Sequence, residues 1–222
     1  MDIAKMIDHT LLKPEATLEQ IRKLCDEGRR YGFFSVCVNP FWVEFCSKNL
    51  KGSKIKICSV SGFPLGANKT IVKTKEAEMV CSDGAEEVDM VMNIGALKMK
   101  DFQLVKEDIE TVRKAIGKDK ILKVILETCL LSEEEKTNGA KIVLDSGADF
   151  VKTSTGFSFK GATIEDVKLL KKVVGDKIGV KASGGIRDYE TVIKMVEAGA
   201  TRIGTSAGVK IIEESTRKKE NI

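Results

Sequence analysis

Short apolar runs rich in β-branched residues recur along the whole chain, separated by longer segments whose apolar positions follow helical spacing. The runs predict strands over residues 33–39, 55–60, 87–92, 121–127, 150–153, 178–182 and 202–205. The intervening pattern predicts helices over 17–31, 40–49, 71–82, 102–116, 132–145, 163–174, 189–198 and 209–216. Strands that read as near-continuous apolar runs and alternate with helices imply a parallel sheet covered by helices. No proline- or serine-rich stretch interrupts the pattern, so one domain is expected over residues 1–222.

A weak repeat sharpens this α/β reading. Gly32-Phe-Phe-Ser-Val-Cys37, Gly84-Ala-Glu-Glu-Val-Asp89, Gly147-Ala-Asp-Phe-Val-Lys152 and Gly199-Ala-Thr-Arg-Ile-Gly204 share one plan. Each glycine ends a helix, where it can take a left-handed cap, and a short turn then feeds a strand. Repeated units of this kind suit a (β/α)8 TIM barrel, whose strand C-termini carry the active site. Seven strands are clear; Met6-Ile-Asp-His9 would have to supply the eighth, and the helix over 17–31 then stands as an additional N-terminal helix before the first clear strand. A doubly wound open sheet is the alternative, although no G-x-G-x-x-G fingerprint follows any strand.

Composition narrows the function classes. Hydrophobic residues at 42% and charged residues at 32% provide both a core and a solvated surface. Thirty-seven basic against 33 acidic residues leave a net charge of +4, too even for a nucleic-acid binder but compatible with a local anion site. His9 is the only histidine, so multi-histidine metal sites are excluded. Six cysteines form no C-x-x-C pair, and the opening Met-Asp-Ile-Ala-Lys lacks the apolar core of a signal peptide. Reduced, mostly buried thiols in a cytoplasmic protein are therefore expected. No apolar run of about 18 residues is present, so no membrane helix is expected.

The candidate chemistry lies in charged residues placed inside predicted strands: Asp89, Lys152 and Lys181, with Lys123 as a fourth. Lysine and aspartate are rarely buried unpaired, and the plain alternative is that each marks a strand end and reaches solvent. Three at matching strand depth favour a shared site instead. A lysine attacks a carbonyl only as the free amine, and its ordinary pKa near ~10.4 leaves little of that form at neutral pH. Burial and a neighbouring cation both favour the amine, and a nearby aspartate can move protons. Two lysines and an aspartate are thus what Schiff-base chemistry requires. Ala182-Ser-Gly-Gly-Ile186 and Gly204-Thr-Ser-Ala-Gly208 follow the last two strands, where barrel enzymes often hold phosphate; Thr153-Ser-Thr-Gly156 is a third polar turn.

Over essentially its whole length the chain resembles the deoxyribose-phosphate aldolase family, in its shorter bacterial and archaeal form. The resemblance rests on Ile7-Asp-His-Thr-Leu-Leu-Lys-Pro14, Val36-Cys-Val-Asn-Pro40, Ser61-Gly-Phe-Pro-Leu-Gly66, Glu87-Val-Asp-Met-Val-Met-Asn-Ile-Gly95 and Lys123-Val-Ile-Leu-Glu127. It is most specific in Asp149-Phe-Val-Lys-Thr-Ser-Thr-Gly156 followed by Val180-Lys-Ala-Ser-Gly-Gly-Ile-Arg187. It implies a metal-independent class I aldolase that cleaves 2-deoxyribose 5-phosphate to glyceraldehyde 3-phosphate and acetaldehyde, with no cofactor and as a homo-oligomer. It further implies Lys152 as the Schiff-base residue, Lys181 as the lysine that tunes it, and Asp89 as acid/base. Asp8 and Thr155 would belong to the substrate site, with Asp8 beside Lys181. Gly156, Gly184, Gly185, Gly204 and Ser206 fall on phosphate-binding positions. Two departures stand out: Ala207 replaces the second serine of the last loop, and residues 213–222 hold no counterpart of the terminal tyrosine of longer members.

Other conspicuous residues read as structural. Trp42 and Phe45 suit the core or a subunit contact, Arg217, Lys218 and Lys219 a solvated tail, and His9 either a structural hydrogen bond or a substrate contact. Cys37 would point into the barrel. A non-catalytic phosphosugar-binding barrel, another Schiff-base aldolase and a phosphosugar isomerase remain as other readings; binding alone has no use for two buried lysines, and an enediol isomerase none for a Lys152 imine.

Overall fold

The structure, a computed structural model, describes residues 2–220. Eight parallel strands follow one another in sequence order around a closed barrel. They are β1 (Ile7–Leu11), β2 (Ser35–Val38), β3 (Lys56–Ser61), β4 (Glu87–Val91), β5 (Ile121–Ile125), β6 (Phe150–Lys152), β7 (Gly179–Ser183) and β8 (Arg202–Thr205). The short segment near residues 6–9 does supply the missing strand. β1 pairs with both β2 and β8, which closes the sheet and excludes the open, doubly wound alternative.

The helices lie in the order the pattern predicts: α1 (Leu18–Tyr31), α2 (Val43–Leu50), α3 (Thr70–Ser82), α4 (Ile94–Lys98), α5 (Phe102–Ile116), α6 (Glu133–Asp145), α7 (Ile164–Val174), α8 (Tyr189–Glu197) and α9 (Gly208–Glu220). With β1 in place, α1 becomes the first regular barrel helix, and the helical element before β1 is a single 3-10 turn, Ile3–Met6. The unforeseen α4 starts where the Asn93 side chain accepts a hydrogen bond from the Ala96 amide. The basic triplet expected as a tail instead continues α9: Arg217 and Lys218 are exposed, and the Lys219 side chain lies outside the described residues.

Local signals explain the helix ends. Thr17 and Gln20 form a reciprocal capping box at the start of α1, as Ser132 and Glu135 do for α6. Gly32 ends α1 in the left-handed region at φ 64°. Between these limits Ile21, Leu24, Cys25 and Gly28 face the barrel at helical spacing. Burying Ile21 and Leu24 contributes roughly 1.5–3 kcal/mol each before entropy is counted.

Strand alternation divides the interior. Val36, Val38, Val88, Met90, Leu122, Val124, Val151, Val180, Ala182 and Ile203 face outward into the apolar layer beneath the helices. The strands read as near-continuous apolar runs apart from Asp89, Lys123, Lys152 and Lys181, and those charges mark the inward face. Inside the barrel, where branched aliphatics usually stack in layers, stand Asp8, Glu87, Asp89, Lys123, Lys152, Lys181 and Arg202, all buried. Leu12, Cys37, Cys58 and Val60 form a small separate apolar cluster. The inner layer is mostly ionic.

Candidate active site

Parallel register delivers the charged residues to one place. Asp89 is the register partner of Lys123, and Lys152 of Lys181. The Asp89 carboxylate accepts from Lys123 Nζ at 2.8 Å on Oδ1, and from Lys152 and Lys181 Nζ at 2.7 Å each on Oδ2. Lys181 Nζ also stands 2.5 Å from Asp8 Oδ2. Asp8 Oδ1 is held by Ser35 Oγ at 2.7 Å and Arg202 Nη1 at 2.9 Å. Arg202 Nη1 reaches Glu87 Oε2 at 2.8 Å, and Lys123 Nζ reaches the same atom at 2.6 Å. The Arg202 guanidinium also lies 3.6 Å from the centre of the Phe34 ring.

The ion pairing decides the charge states. Burial alone would push the Asp89 carboxyl up, but Lys123, Lys152 and Lys181 outweigh it and hold it well below the usual carboxylate range. Burial likewise opposes ionisation of Asp8, and Lys181, Lys123 and Arg202 overcome it. Lys181 loses solvation but gains Asp8 and Asp89, so its ammonium form persists well above the ordinary lysine range. Lys123 behaves in the same way, with Asp89 as its main stabiliser.

Beyond the lysines, further along the same strands, a cavity of about 300 Å³ opens at the C-terminal end of the barrel. Its lining includes Thr155, Gly156, Gly184, Gly185, Gly204 and Ser206. The glycines are there for space as well as conformation. A Cβ on Gly204 would sit 2.6 Å from Ser183 Oγ and 3.1 Å from Lys181 Cε. One on Gly184 would sit 2.9 Å from the Gly161 backbone. Gly185, at φ 77°, has open space where a side chain would project. Lys13 and Arg187 also line the cavity, which gives it two cations without a carboxylate and suits an anion.

Asp8, expected among the substrate-binding residues, does not line this cavity. It is fully buried one inward position before Thr10, which does line it, and its carboxylate is occupied by Lys181, Arg202 and Ser35. Thr155 lines the cavity, but its hydroxyl donates to Glu127. Glu127 itself was not anticipated. It is a buried residue in the left-handed region at φ 56°, a conformation that costs a non-glycine residue about 1–2 kcal/mol. Glu87 and Arg202 were also missed as site residues, although each shows the signal that exposed Asp89, a charge inside a predicted strand.

His9, Trp42 and Phe45 are not among the ion-paired residues inside the barrel. His9 faces outward, with Nε2 2.7 Å from Glu27 Oε2 and its ring 4.7 Å from that of Phe33, so it ties β1 to α1. Trp42 and Phe45 meet edge to face with one another and pack, partly buried, against the core. All six cysteines are free thiols, four of them buried, and Cys37 does point into the barrel beside Cys58. The carboxylates of the inner layer are already neutralised by lysine and arginine side chains. Among the described residues, no helix is long and apolar enough to cross a membrane.

The arrangement has counterparts among known proteins. Residues 3–214 match the DeoC/LacD family aldolase model. The deoxyribose-phosphate aldolase of Clostridium tetani is 60% identical over 215 residues, spanning 97% of this chain and all of that protein. A solved structure described as QR15, an aldolase, superposes with a TM-score of 0.95 at 44% identity, covering 100% of this chain and 99% of that one. The tetrameric deoxyribose phosphate aldolase of Aeropyrum pernix superposes with a TM-score of 0.90 at 36% identity, covering 96% and 91%. Identity and coverage of this order, together with lysines converging inside a closed barrel, place the chain in the DeoC/LacD aldolase family.

Proposed function

We propose that the protein is a class I deoxyribose-phosphate aldolase, with Lys152 as the residue that forms the Schiff base. The observation that carries this reading is the convergence of Lys152 and Lys181 on one oxygen of Asp89, at 2.7 Å each. Phosphate-binding alone needs glycine turns and cations; it has no use for a pair of buried lysines sharing a carboxylate. An isomerase working through an enediol has no use for an imine.

The chemistry then follows from the groups present. The Lys152 amine adds to the C1 aldehyde of open-chain 2-deoxyribose 5-phosphate, and loss of water gives the iminium ion. Removal of the C3 hydroxyl proton lets the C2–C3 bond break, with its electron pair entering the iminium. Glyceraldehyde 3-phosphate leaves, and the enamine remains on Lys152. Protonation at C2 and hydrolysis release acetaldehyde and regenerate the amine. Asp89 and the Lys181 ammonium are the groups placed to move these protons, directly or through water. Because the imine itself is the electron sink, the reaction needs no metal or other cofactor. Lys152 acts as nucleophile, Lys181 as the charge that disfavours its protonation, and Asp8 as the anchor of Lys181.

Gly156, Gly184, Gly185, Gly204 and Ser206 hold the 5-phosphate, with Thr155 beside the sugar. Backbone N–H groups at glycine turns and the N-terminal end of α9 are suited to an anion. Two further points belong to this reading: a homo-oligomeric state, by analogy with the Aeropyrum pernix protein, and a cytoplasmic location, in keeping with six free thiols. The direct assay is release of glyceraldehyde 3-phosphate from 2-deoxyribose 5-phosphate by the wild type and Lys152→Arg. Activity retained in that variant would overturn the assignment.

A further inference from the structure

Inside the barrel, charges of alternating sign form a closed loop. Lys181 touches Asp8 at 2.5 Å, Asp8 touches Arg202 at 2.9 Å, and Arg202 touches Glu87 at 2.8 Å. Glu87 touches Lys123 at 2.6 Å, Lys123 touches Asp89 at 2.8 Å, and Asp89 returns to Lys181 at 2.7 Å. Three cations and three anions make this loop neutral by itself. Among the described residues, Lys152 is ion-paired with this loop through Asp89 alone. With Lys152 charged the centre holds four cations against three anions, and a surplus charge in a buried centre is costly.

We infer that Glu87 and Arg202 are positioning residues for the reaction: they complete the neutral loop that makes Lys152 the surplus cation and so favour its free amine. The inference rests on Lys152 being the imine-forming residue. It assigns the tuning of the nucleophile to the balance of the whole loop, with Lys181 as one member. Glu87 pairs with Lys123 and Arg202, and Arg202 with Asp8 and Glu87, whereas Lys152 pairs with Asp89, so both act on Lys152 through Lys123, Asp8, Asp89 and Lys181.

The remaining strands contribute only thiols and a hydroxyl to this centre. Ser35 on β2 bonds Asp8. On β3, the Cys58 Sγ is 3.3 Å from both Lys123 Nζ and Asp89 Oδ1, and burial keeps this thiol protonated. The neighbouring Cys37 on β2 is drawn down by its hydrogen bond with Cys58, against the effect of burial. It is the other group whose ionisation would alter the count.

The test follows the sign of charge. Glu87→Gln removes an anion, so the free amine should appear at lower pH; Arg202→Met removes a cation, so it should appear at higher pH. The acid limb of kcat/KM for 2-deoxyribose 5-phosphate should move by about one pH unit in opposite directions, each unit a tenfold change in free amine at fixed pH. The double variant Glu87→Gln/Arg202→Met and the conservative Arg202→Lys should both restore the wild-type limb. Cys37→Ser should leave the two shifts in place. For a single variant that does not fold, Asp8→Asn carries the same prediction as Glu87→Gln, and Lys123→Met the same as Arg202→Met. Limbs that do not move, or that move in one direction for both signs of charge, overturn the inference, because a merely structural role lowers kcat without a signed shift. Borohydride trapping of acetaldehyde on each variant separates the two levels. No trapping on Lys152 of the wild type would overturn the Schiff-base reading, whereas trapping with unmoved limbs overturns only the role of Glu87 and Arg202.

Discussion

Lys152 and Lys181 are register partners on neighbouring strands, and their side-chain nitrogens each stand 2.7 Å from the same atom, Oδ2 of Asp89. The two nitrogens therefore lie within about twice that distance of one another, buried. A charge on one is felt directly by the other, and Asp89 mediates between them.

Lys181→Met should raise the pH at which activity appears. Asp8 and Asp89 hold Lys181 charged well above the ordinary lysine range, so across neutral pH the wild type always presents that ammonium to Lys152. Without it, Lys152 keeps its proton more readily. A displacement of ~2 units would leave ~100-fold less free amine at neutral pH. Activity of the variant should recover in part as the assay is made alkaline; an unchanged pH–rate profile would assign Lys181 to proton transfer or substrate contact only.

Asp89→Asn should not recover at any pH. Its carboxylate is the common partner of three lysines, and removing one member of a buried ion pair costs about 3–5 kcal/mol. The expected outcome is a lowered Tm together with a loss of kcat of at least ~10²-fold that alkaline buffer leaves in place. Near-normal kcat would remove Asp89 from the proton-transfer chain.

Gly185→Asp should raise KM for 2-deoxyribose 5-phosphate far more than for unphosphorylated 2-deoxyribose. The position has open space for a side chain but a φ of 77°, so Gly185→Asn serves as the control for backbone strain. The carboxylate variant should be at least ~10-fold worse than the amide variant on the phosphorylated sugar alone. Equal losses on both sugars would show that the cavity is not an anion site.

Acid should destabilise the fold through its inner layer. Asp8 and Asp89 are held below the usual carboxylate range, so their contribution is present above that range and is lost as pH falls through it. Lys123 and Lys181 are held above the ordinary lysine range, so theirs is complete at neutral pH and is lost only under strongly alkaline conditions. Tm should stay nearly level from about pH 6 to pH 9 and fall steeply below about pH 4. Asp8→Asn should lower the plateau and flatten the acid slope; a slope unaffected by that substitution would place the acid sensitivity elsewhere.

Much of this architecture is legible in the residue pattern because the outward strand positions and the inward helix faces are apolar at the expected periods. The strand of Ile7–Leu11 was hard to see because only Ile7 and Leu11 are strongly apolar, while Asp8 and Thr10 face inward and His9 pairs outward with Glu27. Asp89, Lys152 and Lys181 stood out as charges within apolar strands. Glu87 and Arg202 carry the same mark but sit at the first positions of β4 and β8, where a charge also suits a solvated strand end. Only barrel closure brings β8 next to β1 and turns those two residues inward onto Asp8 and Lys123. Glu127 carried no local signal, because its place depends on a left-handed backbone and on Thr155, 28 positions away.

The most direct measurement of the central claim is reduction of the acetaldehyde adduct with borohydride, followed by peptide mapping. The N-ethyl label should sit on the peptide carrying Lys152 and should vanish in Lys152→Arg. Label on Lys123, on Lys181 or on surface lysines, with Lys152 unmodified, would contradict the account.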